Sequence, residues 1–210
     1  MSSTTLYRLS GISLLIGAVL AIVSTVAGLF GSSDPASNFA ITIAFVQVVS
    51  GTLGVLGLPG VYARQSQRAG VIGLIGIALI IVAVLMLGIV GNALNVLILP
   101  FIATHAPALA RQEPPALGLF FIVGGLLEVI GGICFGIATM RAAVLPRWAG
   151  LLLIVGVLVQ FTGDFFNLPI ANPGFLVFML GMAWLALDVL RFRQPVVGAQ
   201  SELAVGAVRS

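Results

Sequence analysis

The chain has 210 residues, of which 60% are hydrophobic and 7% charged, against roughly 25% charged in an average soluble domain. That balance excludes an ordinary water-soluble fold, which needs a much larger polar face. The net charge of +3 does not point to nucleic acid, because the basic residues, all arginines, fall at the ends of apolar runs instead of forming a basic face.

Six apolar segments follow one another, at about 8–30, 38–62, 69–92, 116–140, 148–168 and 173–191. Each approaches the roughly 20 residues that, at about 1.5 Å rise per residue, cross the hydrocarbon core of a bilayer. The first is preceded by Arg8 and carries Ala27 and Gly28, but it is longer than a signal-peptide core and another apolar segment follows at once, so it reads as a retained span. The breaks are GSSDPAS, ARQSQRA, a longer piece from Asn92 to Pro115, RAAVLPR and NLPIANP, all rich in turn-formers and helix-ending charges. The piece from Asn92 to Pro115 is apolar but interrupted by Pro100 and Pro107. It is expected to form an interfacial segment on the outer side in preference to a re-entrant loop, because irregular backbone at membrane depth needs protein or water around it. Residues 1–193 form a single polytopic membrane domain, and 194–210 are expected to be a disordered cytoplasmic tail.

With the N-terminus inside, Arg8, Arg64, Arg68, Arg141, Arg147, Arg191, Arg193 and Arg209 all face the cytoplasm and only Arg111 lies outside. The positive-inside rule then places both termini in the cytoplasm. The expected fold is an all-α integral membrane protein, a six-transmembrane-helix bundle, N-in/C-in, with an interfacial outer segment between helices three and four.

Two stretches echo each other: VQVVSGTLGVLGLPGVYARQSQRAG (46–70) and LEVIGGICFGIATMRAAVLPRWAG (127–150). In each, a polar residue, Gln47 or Glu128, precedes a glycine by four positions, and an arginine turn and Ala-Gly follow. A parallel duplication explains this, and so does the general likeness of glycine-rich hairpins with arginine turns.

The pattern of Arg141, Pro146, Arg147, Gly150, Leu152 and Leu153, together with YRLSGISLL near the start, resembles an uncharacterised bacterial family of six-helix membrane proteins, a domain of unknown function. That resemblance is clearest over roughly the last 80 residues and the first 15. It departs at Ala143, where the family's turn leads one to expect glycine, and the second and third helices match poorly. It implies the six-helix architecture and a bacterial inner membrane, and no activity.

Glu128 stands in the oily run GGLLEVIGGICFG, about 13 residues from Arg141, hence roughly 20 Å from the inner boundary on a regular helix. Gln160 has the same spacing from Arg147, while Asp164 and Gln47 lie some 6 Å higher, about 17 residues from their inner arginines. A carboxylate facing lipid costs about 2.5–3.5 kcal/mol on insertion scales, so Glu128 should face the bundle interior. Glu128, Asp164, Gln160 and Gln47 are therefore the candidate ligand-binding residues, lining an outward-facing cavity for a small ligand or cation. The competing reading makes a protonated Glu128 interhelical glue, hydrogen-bonded to Gln47 or Gln160 and contributing roughly 1 kcal/mol.

The remaining residues have plainer roles. Gly132 and Gly136, and Gly51, Gly54 and Gly57, suit close helix packing. Pro59 is expected to kink the second helix. Asp188 and Arg191 read as a surface pair, and Trp148 and Trp184 as interfacial anchors. A single Cys134 and a single His105, without partners at ligand spacing, suggest no disulfide, metal or cofactor. No Ser-His-Asp set, HExxH or Walker loop is present, so an enzyme is not expected. The expected partners are the lipid bilayer and a small ligand or lipid, not nucleic acid, with a homo-oligomer left open. The alternative to a binding or transport protein is a non-catalytic structural or regulatory membrane subunit packing through its glycine-rich faces.

Overall fold

The computed structural model describes residues 3–32, 34–110, 112 and 114–191. Arg111, Arg193, Arg209 and the 194–210 tail lie outside the described residues. In hydrocarbon every backbone N–H and C=O must be satisfied within its own segment, which leaves the α-helix as the default for apolar runs of this kind. The described residues form helices α1 (Ser3–Gly28), α2 (Asn38–Ala83), a π-helical stretch (Val84–Gly91), α3 (Asn92–Leu97), α4 (Leu99–His105), α5 (Pro107–Ala110), α6 (Pro115–Ala142), α7 (Arg147–Phe165) and α8 (Ala171–Arg191). Five helical stretches are long and apolar enough to cross a membrane: Thr5–Gly28, Asn38–His105, Pro115–Ala142, Arg147–Phe165 and Ala171–Arg191.

The second of these, 68 residues long, would measure roughly 100 Å if straight, about three times the hydrocarbon thickness. It is not straight. Gly70 has φ 60° and ψ −164°, and two helices meet there. A Cβ placed on Gly51 would stand 3.2 Å from the carbonyl carbon of Gly88, so the arms on either side of Gly70 lie back to back. The turn is thus a single non-helical residue, whereas the polar heptad ARQSQRA predicts a loop: helix continues through that heptad to Ala69. Only glycine readily adopts those dihedrals, which is why one residue suffices. Pro59 sits within helical backbone, and the non-helical dihedrals occur at Gly70 instead.

The other turns fall where expected. Ser37 caps α2, its hydroxyl accepting from the Ala40 N–H at 3.2 Å. Ala143, in the left-handed conformation at φ 53°, ends α6. Pro146 precedes α7.

The helices form a closed ring. α1 packs on the first arm of α2, where Ser50 Oγ donates to the Gly17 carbonyl and Ser13 Oγ to the Leu53 carbonyl, both at 2.8 Å. The second arm meets α6 through Gly76 and Phe135, and through Gly131 and Ile80. α6 meets α7 where Gly136 faces Gly150 and Ile154, α7 meets α8 where Gly156 faces Phe178, and α8 returns to α1 where Leu190 covers Gly11. Leu58, Val61, Ile80, Phe135, Leu153, Phe178 and Leu185 fill the centre. Large apolar side chains such as Ile12, Phe45, Val71, Ile122, Leu151 and Leu180 are exposed on the outside. An apolar surface of that extent is unfavourable in water and natural against lipid, consistent with a membrane protein.

Two expectations about small residues are refined. Gly54 has nothing within 4 Å of a Cβ placed on it, so its own Cβ position is open, although its backbone nitrogen stands 3.1 Å from a Cβ placed on Gly17 of α1. The echoing stretches 46–70 and 127–150 place their Ala-Gly steps differently: Gly70 is the turn of the first hairpin, whereas Gly150 lies inside α7, beyond a turn at 143–146.

One end of the bundle gathers charge. Tyr7, Arg64, Arg68 and Val144 border a common groove, Arg68 and Arg141 a second, and Asp188 lies in the field of both Arg64 and Arg191.

Candidate functional site

At mid-height α6 carries Glu128 among glycines and aliphatic residues, and the bundle buries it to 8% exposure. Its neighbour on α7 is Gln160, whose Nε2 donates to Glu128 Oε2 at 3.3 Å. α7 can present Gln160 there because α8 offers Gly174 to the back of it: a Cβ at position 174 would collide with the Gln160 nitrogen and Cα. One turn further along α7, Asp164 is exposed at the mouth of the same cleft.

The cleft holds about 450 Å³ and its walls are aromatic and aliphatic, with Leu87, Phe121, Phe161 and Phe165 around the polar groups. Gly125 leaves room in it, since a Cβ there would stand 3.1 Å from the Phe161 ring. Leu87 arrives from the π-helical stretch Val84–Gly91. The wider turn of a π-helix frees carbonyls, and Asn92 Nδ2 donates to two of them, Leu87 O at 3.3 Å and Gly88 O at 3.1 Å.

The hydrogen-bonding inventory of the cleft is one-sided. Gln160 spends its amide donor on Glu128, while its buried Oε1 receives no hydrogen bond. Glu128 and Asp164 add carboxylate oxygens. An unpaired buried acceptor costs about 1–3 kcal/mol. The arrangement suits a guest that brings N–H, O–H or positive charge, with an apolar body against the phenylalanines. Among the described residues no group of three or more His, Cys, Asp and Glu side chains is placed to hold a metal ion.

Three of the four residues singled out in the sequence therefore meet, and the fourth does not. Gln47 lies in a separate cavity of about 250 Å³ near Asn92, Asn95 and Ser32, and its Nε2 donates to Thr25 Oγ1 on α1 at 3.4 Å. Height along the membrane normal was readable from the 1.5 Å rise, but the side of the helix that faces a given neighbour was not.

Among the buried polar side chains that the sequence does not mark out are Gln65 and Thr139. Gln65, 1% exposed, donates through Nε2 to Thr139 Oγ1 at 3.1 Å, tying the first arm of α2 to α6. Gln65 belongs to ARQSQRA, a heptad whose polarity imitates a loop and masks the burial of this one side chain. The signal available was the spacing of Gln65 from Val61 and Ala69, one helical face that carries on to Gly70.

His105 stacks on Phe101 at 4.3 Å between ring centroids. Trp148 and Trp184 are both exposed, on α7 and α8. No family model, curated protein or solved structure matches the chain.

Proposed function

We propose that the protein is a six-span bacterial inner-membrane protein that binds, and by extension transports, a small ligand or cation in the cleft of Glu128, Gln160 and Asp164. Its resemblance to the uncharacterised six-helix family belongs to this reading. The reversal of the Asn38–His105 stretch at Gly70 supports six crossings. The gathering of Arg64, Arg68, Arg141 and Arg191 at one end supports a cytoplasmic location for that end and so for both termini. Helices α3 to α5, with exposed Leu97, Phe101 and Leu109, then lie at the outer interface.

The observation that carries the ligand reading is the unanswered Gln160 Oε1 beside buried Glu128 in a roomy cleft. Interhelical glue needs no space beside the pair; here the residue that carries the leftover acceptor lines a cleft of about 450 Å³. The occupant is a small molecule with a donor-bearing or cationic head and an apolar body. It can be tested by following the melting of the full chain in nanodiscs with an alkylammonium probe. The probe should raise the melting temperature of the wild type and leave Glu128→Gln, and Gly125→Val with its cleft filled, unmoved. Equal shifts in all three would place the probe elsewhere and sink the reading.

A further inference from the structure

The arginine end of the bundle contains a second site, separate from the cleft and independent of the reading given for it. Where α2 turns at Gly70, a groove of about 630 Å³ runs past Tyr7, Arg64, Gln65 and Arg68. It adjoins a smaller one of about 330 Å³ between Arg68, Gly70 and Arg141. Arg68 borders both, so the two grooves adjoin at this side chain and together, as a basin in two parts, carry three guanidinium groups, Arg64, Arg68 and Arg141.

Their balancing charges are uneven. Asp188 on α8 lies in the field of Arg64 and partly offsets it. Arg68 and Arg141 are exposed and make no ion pair among the described residues. Val71 and Ile72, which open the helix after Gly70, line the smaller groove beside Arg68 and Arg141. Guanidinium groups are planar forks that match phosphate oxygens, and the chain uses arginine at every basic position.

A further observation narrows the ligand. Gln65 lines the larger groove, is 1% exposed, and its Oε1 accepts no hydrogen bond, although its Nε2 is engaged with Thr139. The phosphate of a phosphodiester has no O–H and gives this acceptor nothing. A phosphate ester that also carries a hydroxyl answers both the arginines and the glutamine.

We infer that the basin at Gly70 binds a glycerol-phosphate group, with Arg68 and Arg141 on the phosphate and Gln65 Oε1 accepting from a hydroxyl. The group can belong to the headgroup of an anionic phospholipid or to a soluble phosphate ester, and the two sources are separable. Basic pockets on the cytoplasmic side of helix bundles are suited to anionic headgroups.

The test uses the full chain in two kinds of nanodisc, one of equimolar phosphatidylglycerol and phosphatidylcholine, the other of phosphatidylcholine alone. Native mass spectrometry on the first should show phosphatidylglycerol retained by the wild type and by Arg147→Gln, a control outside the basin. The Arg68→Gln/Arg141→Gln double variant should retain at least about tenfold less, as expected for removing two charges from an anionic site. Melting in the second, with added glycerol phosphate, reports the soluble source: a shift in the wild type that the double variant lacks assigns the site to a free ester. Both arginines are exposed, so the double variant should keep its helical circular dichroism; if it does not, each single variant serves in its place. Equal lipid retention by wild type and variants together with no shift by glycerol phosphate would overturn the inference. So would a loss in Arg147→Gln as large as in the double variant, which would mean general surface charge and not a built site.

Discussion

Glu128 on α6 and Gln160 on α7 are joined by a single hydrogen bond of 3.3 Å, and the second oxygen-bearing end of that contact, Gln160 Oε1, is buried and unanswered. The contact is long for N–H···O, where about 2.9–3.0 Å is usual. It therefore contributes little to holding α6 against α7, which Gly132 against Val157 and Gly136 against Ile154 already bring together. Polar contacts between membrane helices average about 0.6 kcal/mol. Glu128→Gln should thus change unfolding free energy by about 1 kcal/mol or less while removing ligand binding. Steric unfolding in mixed detergent micelles reads the first quantity and calorimetric titration the second. A loss of several kcal/mol would mean that the glutamate is structural.

The ring depends on backbones that touch. A Cβ on Gly76 would lie 2.5 Å from the Phe135 nitrogen, whereas one on Gly54 meets open space. Gly76→Ala should destabilise by about 1–3 kcal/mol through overpacking, and Gly54→Ala should be neutral or stabilise by about 0.5 kcal/mol through reduced chain entropy. The same unfolding measurement on both variants checks the pair, and similar effects at the two positions would contradict the packing described.

The two turns at the arginine end respond oppositely to glycine. Ala143 is held at φ 53°, and left-handed backbone costs an L-residue about 1–2 kcal/mol. Ala143→Gly should stabilise by about 0.5–1 kcal/mol. Gly70 has φ 60° and ψ −164°, a region that costs other residues about 1–3 kcal/mol. Gly70→Ala should destabilise by that amount even though nothing crowds its Cβ position. A stable Gly70→Ala protein with normal melting would mean that the reversal is not built on this residue.

How much of this was legible in the residues differs between the fold and the site. α1, α6, α7 and α8 were readable because hydrophobic length, proline and arginine punctuation act locally and the bilayer sets the scale. The reversal between 38–62 and 69–92 was readable too, but its confinement to Gly70 was not, because polar residues in ARQSQRA imitate a loop while their helical face, with Gln65 buried, packs inward. At the site, Glu128 and Gln160 could be paired from their equal spacing to the arginine turn. Gln47 could not be separated from them, because its direction is set by contact with Thr25 on α1, a tertiary fact that axial spacing does not encode. The leftover acceptors on Gln160 and Gln65 exist only once partners are placed.

Orientation gives an independent check. In a Cys134→Ser background, Gln67→Cys at the Gly70 turn should react with a membrane-impermeant thiol reagent only from the cytoplasmic side, and Ser32→Cys between α1 and α2 only from outside. Exposure of both positions to the same side would contradict six crossings with both termini inside.

The most direct measurement is native mass spectrometry of the full chain released from nanodiscs, wild type beside Glu128→Gln. The expected result is a discrete non-phospholipid mass on the wild type that is absent from the variant, with both proteins melting within a few degrees of each other. Identical spectra at equal thermal stability would contradict a ligand site at Glu128 and leave the cleft as a dispensable polar gap between α6 and α7.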